Sequence, residues 1–350
     1  MTSPGNMIYA PIMIPTMNRY QHLKRAIESL RKNLWAKYTD IYIGVDFPPS
    51  AKYFEGYNRI IEYLNGDFSE FKSFNVVKRD YNYGSLQNIA SLRNMIFKNY
   101  DRLIKADDDA EFSPNFIEYM DKCLMEYEND SQTIAVTGYS YPLKWVVSAG
   151  STVFFENFIC PMWGIGLWRD KFLTINDYIV NQKGLGQDSR KIVLSGCLSR
   201  MTDACRKEFA DLCLTPDFHV TLASRFTDIS LRMYMSVYDK RVVMPVVSKV
   251  RNWGFDGSGE FCAAVGDQVK RLLVAKDYQY QFQPIEEKED FVLVKDSIRS
   301  INSNRDLMNK FDPISFFAKL KVNIKLILFV LFGKTNFMRI TYLIRQIKES

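Results

Sequence analysis

The stretch LIKADDDAEFSPNF, residues 103–116, sets a strand signal, a run of acids and a helix start side by side. Leu103 to Ala106 is a short apolar run that reads as a strand. Asp107, Asp108 and Asp109 follow, and Ser113 with Pro114 has the composition of a helix N-terminus, Ser as N-cap and Pro at the first position. Three adjacent carboxylates just past a strand can be a solvated turn, a charge complement to a helix N-terminus, or a seat for a hard cation. The second option is weakened because Ser113 already supplies the cap. In an extended chain Asp107 and Asp109 point to the same side, and Mg²⁺ or Mn²⁺ takes one or two carboxylates together with substrate phosphates.

The flanking sequence repeats the strand-then-helix order. Ile8 to Ile14 reads as a strand ended by Pro15 and a polar turn, Thr16 to Arg19, after which Leu23, Ile27, Leu30 and Leu34 recur at helical spacing. Ile41 to Val45 is a second strand stopped by Asp46, and Ile60, Ile61 and Leu64 mark the next helix. Phe74 to Val77 is a third strand, followed by a helix opened by Gly84 and Ser85. Four such alternations within about 130 residues predict an α/β fold with a mostly parallel sheet flanked by helices. Ligands of such sheets bind at the carboxyl ends of the strands, where Asn18, Arg19, Asp46 and Asp107 to Asp109 all fall. Beyond Val136 the pattern loosens into glycines and aromatics.

Bulk properties set the outer limits. A chain of 350 residues with 47% apolar and 14% aromatic residues can fill a sizeable core. Its formal charge is only +6, and the segment from Phe311 to Ser350 alone holds seven Lys/Arg against two acids. The remainder is close to neutral, which argues against a nucleic-acid-binding body. Six cysteines form no CxxC pair, so reduced thiols are expected. The N-terminus lacks the pattern of a signal peptide, and a cytoplasmic location is the expectation. With only His22 and His219 in the chain, a histidine-rich metal site is excluded. No run of about 20 apolar residues exists to span a bilayer. The segment LILFVLF, residues 326–332, is flanked on both sides by Lys and Arg, which suits an amphipathic helix lying on an anionic membrane surface; the competing expectation is a helix docked on the domain.

Several ordered motifs resemble the GT-A glycosyltransferases, including bacterial family 2 type enzymes. DDDAEFSPNFIEYM is similar to the acidic motif and following helix of the N-acetylglucosaminyltransferase I group and its bacterial relatives. PIMIPTMNRYQHLKRAIESL resembles the first strand and helix, IYIGVD the second strand, NYGSLQNIASLRNMIF the helix before the acidic strand, PMWGIGLWRDKF the WGW-type segment, and VRNWGFDGSGEFC the closing segment. The match runs in order over about residues 8–265.

The resemblance implies a nucleotide-sugar donor, a Mn²⁺ or Mg²⁺ ion, and inverting transfer to a glycan or lipid-linked glycan. It gives Thr16, Asn18, Arg19 and Asp46 to the nucleotide and Asp109 to the metal. Asp107 falls on the acid touching donor sugar or ribose and is also a candidate metal ligand, while Asp108 turns toward the nucleotide. Gly164 would lie by the donor, Trp163 and Trp168 would stack on sugar, with a place in a buried aromatic core as the equal alternative, and Asp228 in SRFTDISLRMYM would be the base. Asp203, Asp217 and Asp188 are weaker candidates for the base. For Asp228 a plain helix N-cap is the competing reading. Phe261 stands where the bacterial pattern has His, which puts one metal or diphosphate contact in doubt.

The expected organisation is a catalytic domain over 1–295, with a nucleotide-binding half at 1–135 and an acceptor half at 136–295, and a basic amphipathic tail at 296–350. A sugar nucleotidyltransferase is the alternative enzyme, but PTMNRY is no Gly-rich phosphate loop. A non-catalytic carbohydrate-binding protein with the same fold is the third option.

Overall fold

The computed structural model describes residues 8–180, 193–194, 196–213, 227–254, 256–259 and 298–349. Within them the chain opens with strand β1 (Ile12–Thr16), helix α1 (Tyr20–Arg31), β2 (Asp40–Val45), α2 (Phe54–Tyr63), β3 (Ser73–Lys78), α3 (Ser85–Ile96) and β4 (Arg102–Lys105). It continues with β5 (Ala110–Phe112), α4 (Phe116–Glu126), β6 (Thr133–Thr137), β7 (Val153–Glu156), β8 (Ile165–Trp168) and α5 (Arg169–Val180). Then come α6 (Asp203–Cys213), α7 (Asp228–Tyr238), β9 (Arg241–Pro245), β10 (Val250–Asn252), α8 (Ile298–Phe311) and α9 (Phe316–Glu349).

The strands form one eight-stranded sheet in the order β3-β2-β1-β4-β8-β6-β9-β7, with β5 and β10 in a separate two-stranded ribbon. The first four strands are all parallel. β8 is antiparallel to both β4 and β6, β9 is parallel to β6, and β7 closes the edge antiparallel to β9. The chain is therefore an α/β protein with a mixed, mostly parallel sheet flanked by helices, as the strand-helix alternation predicts.

Local chemistry explains most boundaries. β1 runs through Pro15, where the sequence suggested a stop. β4 pairs only with Ile12 and Met13, so Pro15 lies beyond the part of β1 that is bonded on both sides, where a missing N–H costs little. β2 places Ile41, Ile43 and Val45 in the core, and α1 adds Leu23, Ala26, Ile27 and Leu30 from one face. The second core cluster gathers Leu92, Leu103, Ile165, Leu167, Leu231 and Val242 on the other side. The Ser113-Pro114 pair does not cap α4: it forms a turn in which Phe116 N donates to Ser113 O at 3.0 Å, and the helix starts at Phe116.

The division at 135/136 cuts through β6, an internal strand, so the two expected halves share one sheet. The tail is helical and does not stand apart. α9 breaks at Gly333 (φ 69°), and its first segment docks Val322, Leu326 and Phe329 against Cys205 and Phe209 of α6. No helix among the described residues is long and apolar enough to cross a membrane.

Candidate active site

The turn after β1 and the turn after β4 meet because these strands are adjacent and parallel, which brings both carboxyl ends to one rim. Thr16, the last residue of β1, donates its Oγ1 hydrogen to Asp108 Oδ2 at 2.8 Å. Arg19, directly before α1, donates from Nη1 to Asp109 Oδ2 at 2.8 Å and from Nη2 to Asp108 Oδ1. One guanidinium fork thus holds two neighbouring carboxylates, a geometry that Lys could not reproduce. Burial works against the charge on Arg19, but Asp108 and Asp109 outweigh it and raise its pKa.

The acidic run is a turn at Asp108 and Asp109, not the extended alternation that the sequence suggested. Ala110 N donates back to Asp107 O at 3.2 Å. Asp108 and Asp109 consequently converge on Arg19, while Asp107 pairs with Lys105. Burial, opposed by Lys105 and reinforced by the charge of Asp109, raises the Asp107 carboxyl above the usual carboxylate range.

The ribbon of β5 and β10 adds a third wall. Asn252 pairs with Ala110, so the segment after β10 is delivered beside the acids, and Trp253 N donates to Asp109 O at 2.8 Å. Gly254 lies against the Asp109 side chain so closely that a Cβ there would sit 2.1 Å from Oδ2. Its amide donates to Asn252 Oδ1 at 2.6 Å. Farther along, Asp256 Oδ2 comes within 3.1 Å of His22 Nε2 on α1, which sets the glycine-containing turn beside the helix behind Arg19.

Asp46 follows β2 and is almost fully buried. Its Oδ1 accepts from the amides of Phe47 at 2.9 Å and Tyr83 at 2.8 Å, while Oδ2 has only a 3.4 Å contact from Asn82 Nδ2. The carboxylate is held in place and retains acceptor capacity for a ligand N–H. Asn18 is half-buried, and its carbonyl is packed against Gly56, where a Cβ would approach to 2.0 Å.

Trp163 and Gly164 enter at the same rim. They immediately precede Ile165, which pairs with Lys105 at the carboxyl end of β4. Gly164 has φ +67°, accepts through its carbonyl from Gly138 N at 2.7 Å, and would clash through a Cβ with Val250 and Phe116. Trp163 stacks edge-on with Tyr139, ring centres 4.6 Å apart. Trp168 is a different case, and the sugar-stacking role is corrected. It pairs with Arg102 at the opposite end of β4, is 2% exposed, and donates its indole N–H to Leu124 O at 2.9 Å. Antiparallel β8 puts its two ends at opposite rims, so both tryptophans cannot face one ligand.

Asp228 is the first residue of α7, not its cap. Thr227 is the N-cap, in a reciprocal capping box with Ser230. The Asp228 side chain is about half exposed and lies 3.2 Å from Arg232, which also binds Glu208 at 2.9 Å. Burial opposes the charge on Arg232, yet the carboxylates of Glu208 and Asp228 outweigh it and raise its pKa. The Asp228 charge is felt by Tyr141, whose ring packs 5.3 Å from Tyr139. Trp163, Tyr139 and Tyr141 form a row of ring contacts running inward from the rim of the sheet. Asp203 pairs with Lys319 at 2.5 Å. Asp188, Asp217, His219 and Phe261 lie outside the described residues.

A divalent cation can be tested against these donors. Asp107 Oδ2 is buried without a hydrogen-bond partner, and Asp109 Oδ2 faces the bare α-carbon of Gly254. Both are hard oxygen donors suited to Mg²⁺ or Mn²⁺. Among the described residues no group of three or more His, Cys, Asp or Glu converges as a ready cage. The residues therefore fit an ion that takes one or two carboxylates here and further oxygens from a phosphate ligand.

Lys105 and Gly254 are site residues that the sequence reading did not assign. Gly254 lay inside the quoted NWGFDGSG motif, but only the antiparallel ribbon reveals that it faces Asp109.

No family model matches the chain, and no curated protein does. Among solved structures it is similar to S. aureus TarS residues 1–349 in complex with UDP-GlcNAc, at 14% identity over 37% of this chain and 34% of that one, TM-score 0.28. A second structure of S. aureus TarS matches at 10% identity over 94% and 55%, TM-score 0.39. Mouse xyloside xylosyltransferase 1, apo form, matches at 9% identity over 47% and 69%, TM-score 0.28. The chain spans about a third and about half of the length of the two TarS structures.

Proposed function

We propose that the chain is a GT-A type glycosyltransferase, hexosyl or N-acetylhexosaminyl, that takes a UDP-sugar and extends a cell-surface glycan intermediate such as an O-antigen or capsule unit. The observation that supports it most is the knot of Thr16, Arg19, Asp108, Asp109 and Gly254 at the carboxyl ends of β1 and β4. Asp46, one strand over, accepts an N–H of the nucleobase with its less engaged oxygen. Asn18 and Arg19 lie where the ribose and diphosphate pass.

Asp109, with Asp107, would hold Mn²⁺ or Mg²⁺. A bound ion supplies charge neutralisation on the departing diphosphate. Arg19 is the switchable partner: its guanidinium can leave the carboxylates for phosphate oxygens of similar geometry. Gly164 lets the donor approach the backbone, and Trp163 offers an indole face to a sugar. Asp228, half exposed at the start of α7, takes the acceptor hydroxyl proton as that oxygen attacks the anomeric carbon with inversion. Its place at N1, fixed by the Thr227 capping box, orients the carboxylate without consuming it.

A nucleotidyltransferase fits less well, because the turn after β1 turns Thr16 and Arg19 toward acids instead of presenting a Gly-rich loop. The deciding experiment is thermal unfolding of the full chain with a panel of nucleotide sugars, each with and without Mn²⁺. A cognate donor raises the melting temperature by mass action only when the ion is present. No shift with any UDP-sugar, together with a shift for nucleoside triphosphates, would replace this proposal with the nucleotidyltransferase.

A further inference from the structure

The first segment of α9 has two apolar faces, and the domain covers only one. Val322, Leu326 and Phe329 are buried against α6 and its neighbours. Phe316, Phe317, Leu320, Ile324, Ile327 and Leu331 are exposed, Phe316 and Phe317 by 74% and 79%. From Phe317 the exposed positions advance by three and four residues in turn, so at about 3.6 residues per turn they form one stripe, roughly opposite the buried one. The stripe is about 22 Å long at 1.5 Å per residue.

We infer that this outer stripe of α9 is a seat for an anionic lipid surface, with the catalytic domain hung from its inner face. Charge decides the occupant. Residues 313–348 contain seven Lys/Arg and no Asp or Glu. A second copy seated on the stripe would bring two acid-free basic helices together, whereas anionic headgroups complement them. Lys319 and Lys325 flank the stripe on its two sides and are tied to Asp203 and Asp211 of α6, at 2.5 Å and 2.6 Å. Burial of Val322, Leu326 and Phe329 sets the rotation of the helix, and these partly exposed ion pairs are consistent with an apolar stripe pointing outward. Exposed Lys321 is left beside the stripe, where its stem can lie along lipid while the ammonium reaches headgroups. Lone exposed apolar residues are ordinary on a protein surface, but six in one helical row are not.

The inference stands apart from the catalytic proposal and is tested without a substrate. The full chain is co-sedimented with vesicles of phosphatidylcholine alone and with vesicles containing phosphatidylglycerol, while its mass in solution is measured by ultracentrifugation. Binding to the anionic vesicles, weakened by salt, is expected, with a loss of about tenfold or more in the combined variant Phe317→Ser, Leu320→Ser, Ile327→Ser. Those side chains are exposed, so the variant should keep the parental melting temperature. Asp109→Ala should bind vesicles as the parent does, whatever the fate of the catalytic reading. Equal binding to both vesicle types, no binding to either, or a dimer that the triple variant dissociates would overturn it.

Discussion

Arg19 Nη1 lies 2.8 Å from Asp109 Oδ2, so the carboxylate proposed as the metal ligand is also the partner of a cation from the neighbouring strand turn. The same guanidinium binds Asp108, and the two acids depend on it to stay close. Replacement by Met leaves two largely buried carboxylates facing each other. Chemical denaturation of Arg19→Met should show a loss of about 1–3 kcal/mol. Added Mn²⁺ should restore part of that loss; a variant as stable as the parent would show that the fork is not a structural clamp.

Gly254→Ala places a methyl where the Asp109 carboxylate now sits. The side chain can rotate away, so the fold should survive with an unchanged far-ultraviolet spectrum. Mn²⁺-dependent UDP binding should weaken, by about tenfold for a shift worth 1.4 kcal/mol. Unchanged titration heats would remove Asp109 from the metal site.

Asp228→Asn keeps the helix start, because Thr227 and not Asp228 is the cap. Donor binding should be preserved while turnover falls by about 10²–10⁴, the usual share of a general base. Retained turnover would move the base elsewhere. Glu208 is then the next residue to vary, since burial raises its pKa and it shares Arg232.

The two tryptophans should part company. Trp168→Ala removes a buried indole and should destabilise by about 3–5 kcal/mol. Trp163→Ala, at a partly buried ring packed on Tyr139, should cost less stability than Trp168→Ala but lose transfer. The reverse pattern in melting curves and activity would invert their assignment.

Asp121 predicts a pH dependence with a definite sign. Its Oδ1 accepts from Ala10 N at 2.9 Å, Oδ2 has no hydrogen-bond partner, and burial pushes the carboxyl up to about 8. The unfolded chain ionises near 3.9. Between these values the folded state holds a proton that the unfolded state has lost, so this residue's contribution falls as pH rises from about 4 to about 8. Asp121→Asn should flatten that part of the melting-temperature profile. An unchanged slope would assign it to other groups.

Much of the first half was legible because strand and helix periods are local. β2, β3 and β4 fall within one residue of the apolar runs that announced them, and Gly84 marks the start of α3. The fold of the second half was not, since β8 inserts antiparallel between β4 and β6 through pairings that no local pattern encodes. The same limit applies to the site. Thr16, Arg19, Asp46 and the acids could be placed at strand ends from sequence, but the turn at Asp108 reassigns which acids meet. Trp168 looked equivalent to Trp163 in PMWGIGLW, and only the direction of β8 separates them.

β8 also binds the protein's fate during synthesis to its full length. A chain released or cleaved after β6 would present the far edge of β4 with unpaired amides and carbonyls, an invitation to pair with any other extended segment. Fragments ending near residue 140 should therefore aggregate, and while Ile104 N is already bonded to Pro11 O, protection of the β4 amides that point away from β1 should appear only once β8 has been made.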